Sequence, residues 1–458
     1  MSSAGSDRNK NAHQALLVTA TLIVIATTTH YLFRRRRRDN KTMPHLSNMS
    51  INIAVVGAGS IGTLCGLALA KALSQNENNN KVVLVGQKSF LVAVQSNDNK
   101  LRVQDKCRRT KEETFAVHVV NSSSGKNNYD DKNDGSNIFV TDDIQQLQHL
   151  QCDLILVATK TTATQEVGLA LALALPLDSK ATIVSFQNGM GNADLLRQAL
   201  LEHKHVHVAA SMVNFNAYWH HGTNLFYKTT DGGVTMELPE KSSEETSTIG
   251  NALPPKQQDH AMEIHSSRIQ ALAQALTQHH ISSKTVSCQQ LKSTQYSKLL
   301  INMFNAINAL AGLSTPATLE QQGYRRVWGA AMAEGLAVYK ALGITTATFR
   351  GLPPTLLPLM QHLPDALFWV VFRYMAKMDD TAKSSMLQDF QRHPPRTNTE
   401  VDDLSGEIVR LGSKAKVPTP VNAALVSLVH AASAAGKGSP CMTAQELLVQ
   451  VGLEPPKE

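Results

Sequence analysis

Ile51–Gly62 reads INIAVVGAGSIG, and the fold turns on this stretch. Six mostly apolar, β-leaning residues, Ile51–Val56, run straight into Gly57-Ala58-Gly59-Ser60-Ile61-Gly62, and Thr63–Leu73 continues as a helix-forming run. Strand, tight turn and helix in that order are the context in which G-x-G-x-x-G reads as a dinucleotide fingerprint. Gly57 permits the turn, Gly59 lets the backbone approach a pyrophosphate, and Gly62 lets the helix pack close to the strand. The free N–H groups and positive dipole end of the helix then face the phosphates. Gly57, Ala58, Gly59, Ser60, Ile61 and Gly62 are therefore expected to hold a nucleotide; the competing reading is a merely structural strand–turn–helix.

Lys81–Val85 (KVVLV) reads as the second strand. An NAD enzyme would end it with Asp or Glu, to hold the ribose 2′-hydroxyl. This chain has Gly86-Gln87-Lys88, and no acid occurs between Lys81 and Asp98. The missing carboxylate and the cation at Lys88 favour NADP over NAD. Two more apolar strands follow. Asp153–Thr159 (DLILVAT) ends in Lys160, and Ala181–Phe186 (ATIVSF) ends in Gln187-Asn188-Gly189-Met190-Gly191. Lys160 and Asn188 thus stand where the parallel strands of a doubly wound sheet deliver residues to a ligand crevice.

These signals predict an α/β dinucleotide-binding domain of Rossmann type over residues 51–284. Two polar stretches without periodicity, near 121–136 and 240–259, read as insertions in it. His203, His205 and His207 alternate as along a short strand, but no Cys or carboxylate cluster accompanies them, so no metal site is expected.

The chain has 458 residues, enough for two domains with appendages, and a net charge of +7. Residues 1–38 carry six of those seven charges, so the body is nearly neutral and nucleic acid is not implied. Five dispersed cysteines without C-x-x-C spacing fit a reducing compartment. The apolar segment Ala15–Phe33 is roughly 28 Å long as a helix, about the thickness of a bilayer's hydrocarbon core. Arg34–Arg38 follow at once. By the positive-inside rule they stay cytosolic, which predicts a membrane-anchored chain whose body faces the cytosol; the sequence does not name the membrane, and such a segment would suit an outer mitochondrial or ER anchor. The alternative is a cleaved targeting peptide of a soluble organellar enzyme. Residues 1–50 are thus anchor and linker.

From about Thr285 the pattern becomes helical, and residues 285–458 read as a second domain. In Tyr296–Leu310 (YSKLLINMFNAINAL), Lys298, Asn302 and Asn305 fall within an arc of roughly 60° on a continuous helix, with Asn308 at its edge. The remaining circumference is apolar, so the ammonium and amides face either solvent or a polar pocket.

Farther on come Ser384-Ser385-Met386-Leu387-Gln388-Asp389, then RTNTEVDDLSGEIVRLG at Arg396–Gly412, then Val417-Pro418-Thr419-Pro420. With GAGSIG, Thr159-Lys160, the QNGMG turn and KLLIN at Lys298–Asn302, the chain resembles the ketopantoate reductase (2-dehydropantoate 2-reductase) family. The motifs stand in family order from residue 51 to about 430.

The resemblance implies a Rossmann domain followed by an all-helical domain, the 6-phosphogluconate-dehydrogenase-like arrangement, with the active site in the cleft between them. It implies hydride transfer from NADPH to a small 2-oxo acid, with Lys298 stabilising and protonating the nascent alkoxide. Asn302 and Asn305 would bind substrate oxygens, and Ser385 the carboxylate. Asn188 and Lys160 would sit near the nicotinamide ribose, with Asn188 also reaching substrate, and Glu400 would contact cofactor or substrate. Glu400 has a competing role, because Thr397-x-x-Glu400 has capping-box spacing. The implied reaction is 2-dehydropantoate to (R)-pantoate, on the route to pantothenate and coenzyme A. Reduction of another 2-oxo acid, or a non-catalytic membrane-tethered NADP-binding module, are the alternatives.

Overall fold

The computed structural model describes residues 44–74, 79–120, 136–239, 255–348, 352–365, 367–369, 372, 379–392, 394–395 and 397–454. Ala15–Phe33, Arg34–Arg38 and most of both polar stretches lie outside these. Among the described residues no helix is long and apolar enough to cross a membrane. The described chain divides into two compact units, Met43–Lys292 and Ser293–Glu458.

The first unit is built on short runs of β-branched and aliphatic residues. They form β1 (Ile53–Val56), β2 (Val82–Val85), β3 (Lys100–Asp105), β4 (Glu113–Ala116), β5 (His118–Val119), β6 (Ile138–Thr141), β7 (Leu154–Val157), β8 (Thr182–Ser185) and β9 (His207–Ala209). Seven of these make a parallel sheet in the order β5-β6-β2-β1-β7-β8-β9. Every residue of β1, β2, β6, β7 and β8 is buried. Continuous apolar runs are what a parallel sheet covered on both faces requires. Ile53 and Val55 join one core, Ala54 and Val56 the other, one on each side of the sheet. The helices are α1 (Ser60–Leu73), α2 (Lys88–Gln95), α3 (Thr164–Ala174), α4 (Asn192–Ala199) and α5 (Pro255–Gln278). The chain runs outward from β1 through β2 to β6, then returns to β7 on the other side of β1. That reversal makes the ends of β1 and β7 the topological switch point, where ligands of such sheets bind.

The sequence reading misses two smaller sheets in this unit. β11 (Ala217–His220) and β12 (Leu225–Lys228) extend the β3–β4 hairpin into four strands, and β10 (Ser211–Val213), β13 (Gly233–Glu237) and β14 (Ser282–Val286) form three. Trp219 stacks on Phe226 with Phe90 edge-on to both, which ties the four-stranded sheet to the core beside α2. Two details correct the sequence reading. Helix α5 begins at Pro255, inside the 240–259 stretch, because proline suits a first helical turn and buried Ile269, Leu272 and Leu276 follow at helical spacing. Of the three histidines only His207 is in a strand. His203 is buried before it with Nε2 3.1 Å from the Leu175 carbonyl. His207 stacks on His265, and burial together with Arg197 pushes its imidazole down to about 4. Among the described residues no cluster could hold a metal ion, and all five cysteines are thiols.

Helix α6 (Cys288–Asn302) leads into the second unit. There follow α7 (Phe304–Ala311), α8 (Thr315–Glu320), α9 (Gln322–Ala341), α10 (Ser385–Phe390), α11 (Ser405–Ala415), α12 (Pro420–Ala435) and α13 (Ala444–Gln450). The long α9 is central and packs on α7, α8, α11, α12 and α13. Gly335 allows the closest approach: a Cβ there would meet Leu300 and Met303 at 2.7 and 2.8 Å. Parallel sheet with flanking helices first, helices second, is the architecture that the sequence predicts.

Candidate active site

At the turn after β1, Gly57 holds φ +103°, and a Cβ would stand 2.6 Å from the Thr159 nitrogen. Only glycine fits both the angle and the space. The N–H groups of Gly57 and Ala58 both donate to the Val85 carbonyl (2.9 Å each), closing the turn over the end of β2. A Cβ on Gly62 would come 2.1 Å from the Gly57 oxygen, so α1 starts hard against the turn. Gly59 is different, because a Cβ there would meet no heavy atom within 4 Å. It is also the N-cap of the 14-residue α1, which has no side-chain cap and no acid in its first turn. Uncapped N–H groups with a positive dipole end, opening on accessible space, fit a pyrophosphate. A bound dinucleotide is thus compatible with the residues present, Ser60 and Ile61 being partly exposed beside Gly59.

Beyond β2, Gln87 caps α2 and the exposed Lys88 opens it, with no acid in that first turn. Lys160 follows β7 at the start of a short 3₁₀ turn, and Asn188 lies in the turn after β8; both are half-buried. The structure brings these two turns together: Thr161 Oγ1 donates to the Asn188 carbonyl at 2.8 Å. The glycine turn, Lys160 and Asn188 therefore all follow the C-terminal ends of neighbouring strands β1, β7 and β8.

The second group of candidates lies in the helical unit. Lys298, on α6, is half-buried, and burial lowers its ammonium to about 8 while the Glu400 carboxylate pulls the other way. Glu400 is 4% exposed, so this is a largely desolvated charge pair. Asn302 and Asn305 are also half-buried, and among the described residues neither amide has a hydrogen-bond partner. The same is true of the Ser385 hydroxyl. All three residues are half-buried, so their donors and acceptors are open to water and equally to a polar ligand.

Three expectations change here. The polar seam is not on one continuous helix, because α6 ends at Asn302 and α7 begins at Phe304. Asn308 belongs to the scaffold. It is fully buried, donates to the Leu313 carbonyl and Thr318 Oγ1 (2.9 Å each), and accepts from the Ser384 N–H at 3.0 Å. That last bond pins the start of α10 to α7, and Ser384 caps α10 through the Leu387 N–H, leaving Ser385 as the serine with an uncommitted hydroxyl. Finally, Thr397 and Glu400 form no capping box. The nearest helix, α11, starts at Ser405, and Glu400 lies in the turn before it.

One group was missed. Asp403, in the same turn, is raised to about 6 by burial, then by Glu400 and Asp402, against the pull of Arg410. The doubled Asp402-Asp403 after Glu400 was its only sequence signal. The Glu400 charge therefore acts on both Lys298 and Asp403.

Residues 53–240 match the family model described as ketopantoate reductase PanE/ApbA, and residues 290–433 match that of its C-terminal domain. None of the curated protein sequences matches significantly. Similar solved structures include a PanE/ApbA family ketopantoate reductase from Ralstonia eutropha JMP134, at 22% identity and TM-score 0.56, covering 84% of this chain and 100% of that one. A 2-dehydropantoate 2-reductase from Methylococcus capsulatus is 21% identical with TM-score 0.54, covering 85% and 99%. A D-mandelate dehydrogenase solved with NADH and anilino(oxo)acetate is 17% identical with TM-score 0.57, covering 84% and 99%. At these identities the structures speak for the fold, whereas the two family models together span well over half of the residues: the chain belongs to the ketopantoate reductase family of oxidoreductases.

Proposed function

We propose that this protein reduces a 2-oxo acid with NADPH, and that the acid is 2-dehydropantoate, giving (R)-pantoate. The observation that carries the reading is the desolvated Lys298–Glu400 pair on a unit that also presents the half-buried amides of Asn302 and Asn305, which no side chain or carbonyl among the described residues occupies. A protein that only stored cofactor would have no need of them.

NADPH, when bound, supplies the hydride. The chain's own groups supply the rest. The Gly57–Gly62 turn holds the pyrophosphate through the free N–H groups at the start of α1, those of Gly57 and Ala58 being taken by the Val85 carbonyl, and Lys88 faces the 2′-phosphate. Lys160 and Asn188 hold the nicotinamide ribose, and Asn188 also reaches the substrate. Ser385 binds the substrate carboxylate, with Asn302 and Asn305 on its other oxygens. Lys298 donates to the carbonyl oxygen, stabilises the developing alkoxide and gives it a proton. An ammonium near 8 remains mostly protonated at neutral pH yet gives up its proton more readily than an ordinary lysine. Glu400 holds that ammonium in place and touches cofactor or substrate hydroxyls.

NADPH oxidation by the purified protein, measured with 2-dehydropantoate against a panel of other 2-oxo acids, tests the reading. Dehydropantoate should give the highest kcat/KM. A better substrate elsewhere in the panel would reassign the substrate, and no oxidation with any acid would leave a binding module.

Cofactor choice rests on Lys88 and the acid-free end of β2. Lys88→Glu should raise KM for NADPH and shift preference toward NADH, since a carboxylate repels the 2′-phosphate. An unaltered KM ratio would rule Lys88 out of that contact.

The N-terminal segment tethers the protein to a membrane, outer mitochondrial or ER, with the body in the cytosol. What supports this is the length of Ala15–Phe33 and the arginines behind it. The full chain should sediment with membranes and stay there in high salt, which would screen a purely electrostatic attachment. Recovery of a soluble chain shortened by the N-terminal segment would mean a cleaved targeting peptide instead.

A further inference from the structure

Beneath the Gln187–Gly191 turn lies a buried lattice of side chains that the reaction chemistry does not use. Ser185 Oγ donates to Gln187 Oε1 at 2.9 Å, and Gln187 Nε2 donates to Thr164 Oγ1 at 2.7 Å and to Thr159 Oγ1 at 3.3 Å. Thr164 Oγ1 in turn lies 2.7 Å from Asn192 Oδ1 and 2.8 Å from the Thr161 carbonyl. Asn192 Nδ2 donates to the Asn188 carbonyl at 2.6 Å, beside the bond from Thr161 Oγ1. Thr164 is fully buried, and Gln187 and Asn192 are each 4% exposed.

Proton bookkeeping leaves this lattice little freedom. With Nδ2 of Asn192 on the Asn188 carbonyl, Oδ1 faces the Thr164 hydroxyl, whose one proton it shares with the Thr161 carbonyl. With Nε2 of Gln187 on the two threonines, Oε1 is left for Ser185. The Asn188 carbonyl thereby receives two donors, which occupies both its lone pairs. This matters because two glycines make the backbone of this turn permissive. Gly189 and Gly191 both adopt positive φ, at +80° and +81°, and glycine gives up such a conformation easily. What orients the Asn188 peptide is the lattice. It also binds the Asn188 turn to the one that begins at Lys160, since Thr161 and Thr164 belong to the latter.

We infer that Thr164, Gln187 and Asn192 are positioning residues, which clamp the Lys160 and Asn188 turns together and so set the geometry of the nicotinamide end of the cofactor site. This rests on the NADPH reading above and goes beyond it by separating two halves of the site. The pyrophosphate end depends on Gly57–Gly62, and the nicotinamide end on a side-chain lattice that reaches it from below.

The test is Thr164→Val, which keeps shape and removes the hydroxyl, in the full chain. Two probes are titrated: NADPH, and 2′-phospho-ADP, which has the same adenosine and pyrophosphate but neither the second ribose nor the nicotinamide. Leaving two buried partners unpaired should weaken NADPH about tenfold and raise its KM in proportion. Binding of 2′-phospho-ADP should stay within about twofold, and Thr164→Ser, which restores the hydroxyl, should return NADPH binding to near wild type. If Thr164→Val fails to fold, Asn192→Ala, which removes one of two donors to the Asn188 carbonyl, should show the same selective loss, smaller in size. Parallel weakening of both probes would mean a merely structural role and overturn the inference. So would unchanged NADPH binding in a folded variant. A wild-type protein that binds neither probe would instead sink the cofactor reading itself, and this role with it.

Discussion

Lys298→Ala should lower kcat by on the order of 10²–10⁴, the usual cost of losing a positioned general acid. NADPH affinity should hardly move, because the role proposed for the lysine is at the reacting carbonyl and not on the cofactor. A kcat and kcat/KM that fall together would mark an interaction made in the transition state. The wild-type pH profile checks the same assignment. The acid must be protonated, and burial lowers Lys298 to about 8, so the rate should be level through neutral pH and fall above about 8. Glu400→Gln removes the charge that holds the ammonium up, so the alkaline fall should begin at lower pH. Lys298→Arg would not rescue, since a guanidinium keeps its proton. Turnover of Lys298→Ala within about threefold of wild type would assign the acid elsewhere.

Alanine at Gly59 and at Gly62 should fail in opposite ways. At Gly62 the new Cβ meets the Gly57 carbonyl oxygen at 2.1 Å, backbone against backbone, in the middle of the fold's first βα unit. Overpacking of that kind costs about 1–3 kcal/mol or more, and Gly62→Ala should lower the melting temperature and the yield of folded protein. At Gly59 the new methyl meets nothing within 4 Å, so Gly59→Ala should melt like the wild type. The space it enters is where the proposed site places the pyrophosphate against the backbone, so NADPH binding should weaken by about tenfold or more. Thermal melts and NADPH titration of the two variants separate the outcomes. Full NADPH affinity in Gly59→Ala would place the pyrophosphate elsewhere.

Much of this was legible in the chain itself. INIAVVGAGSIG carried its strand, turn and helix, since apolar period, glycine spacing and helix propensity all agree over that short window. The buried strands Leu154–Val157 and Thr182–Ser185 read as continuous apolar runs, and the polar residues closing them stand at the C-terminal edge of the sheet. The four-stranded sheet was harder. Its β3–β4 and β11–β12 hairpins lie more than 100 residues apart in sequence, and alternating stretches such as Ala217–His220 (AYWH) are too short to declare what they pair with.

Among the polar residues, residue type and spacing put Lys298, Asn302, Asn305 and Asn308 on one seam, and Ser384 beside Ser385. Neither could tell which of them is spent on the scaffold. That is a question of partners, and the partners come from distant segments. The Ser384 N–H occupies Asn308, 76 residues earlier, whereas Asn302, Asn305 and Ser385 have no such neighbour among the described residues. The Thr397–Glu400 spacing suited a cap, but the helix that would need it starts at Ser405, and Glu400 serves the field of Lys298 instead. Local sequence determined the strands, the glycine turn and the helical texture, because those depend on backbone geometry and apolar period within a few residues. Tertiary structure alone decided which polar groups are satisfied and which carboxyl shares a buried field with the lysine, because desolvation and hydrogen-bond saturation depend on what the rest of the fold brings within about 3 Å.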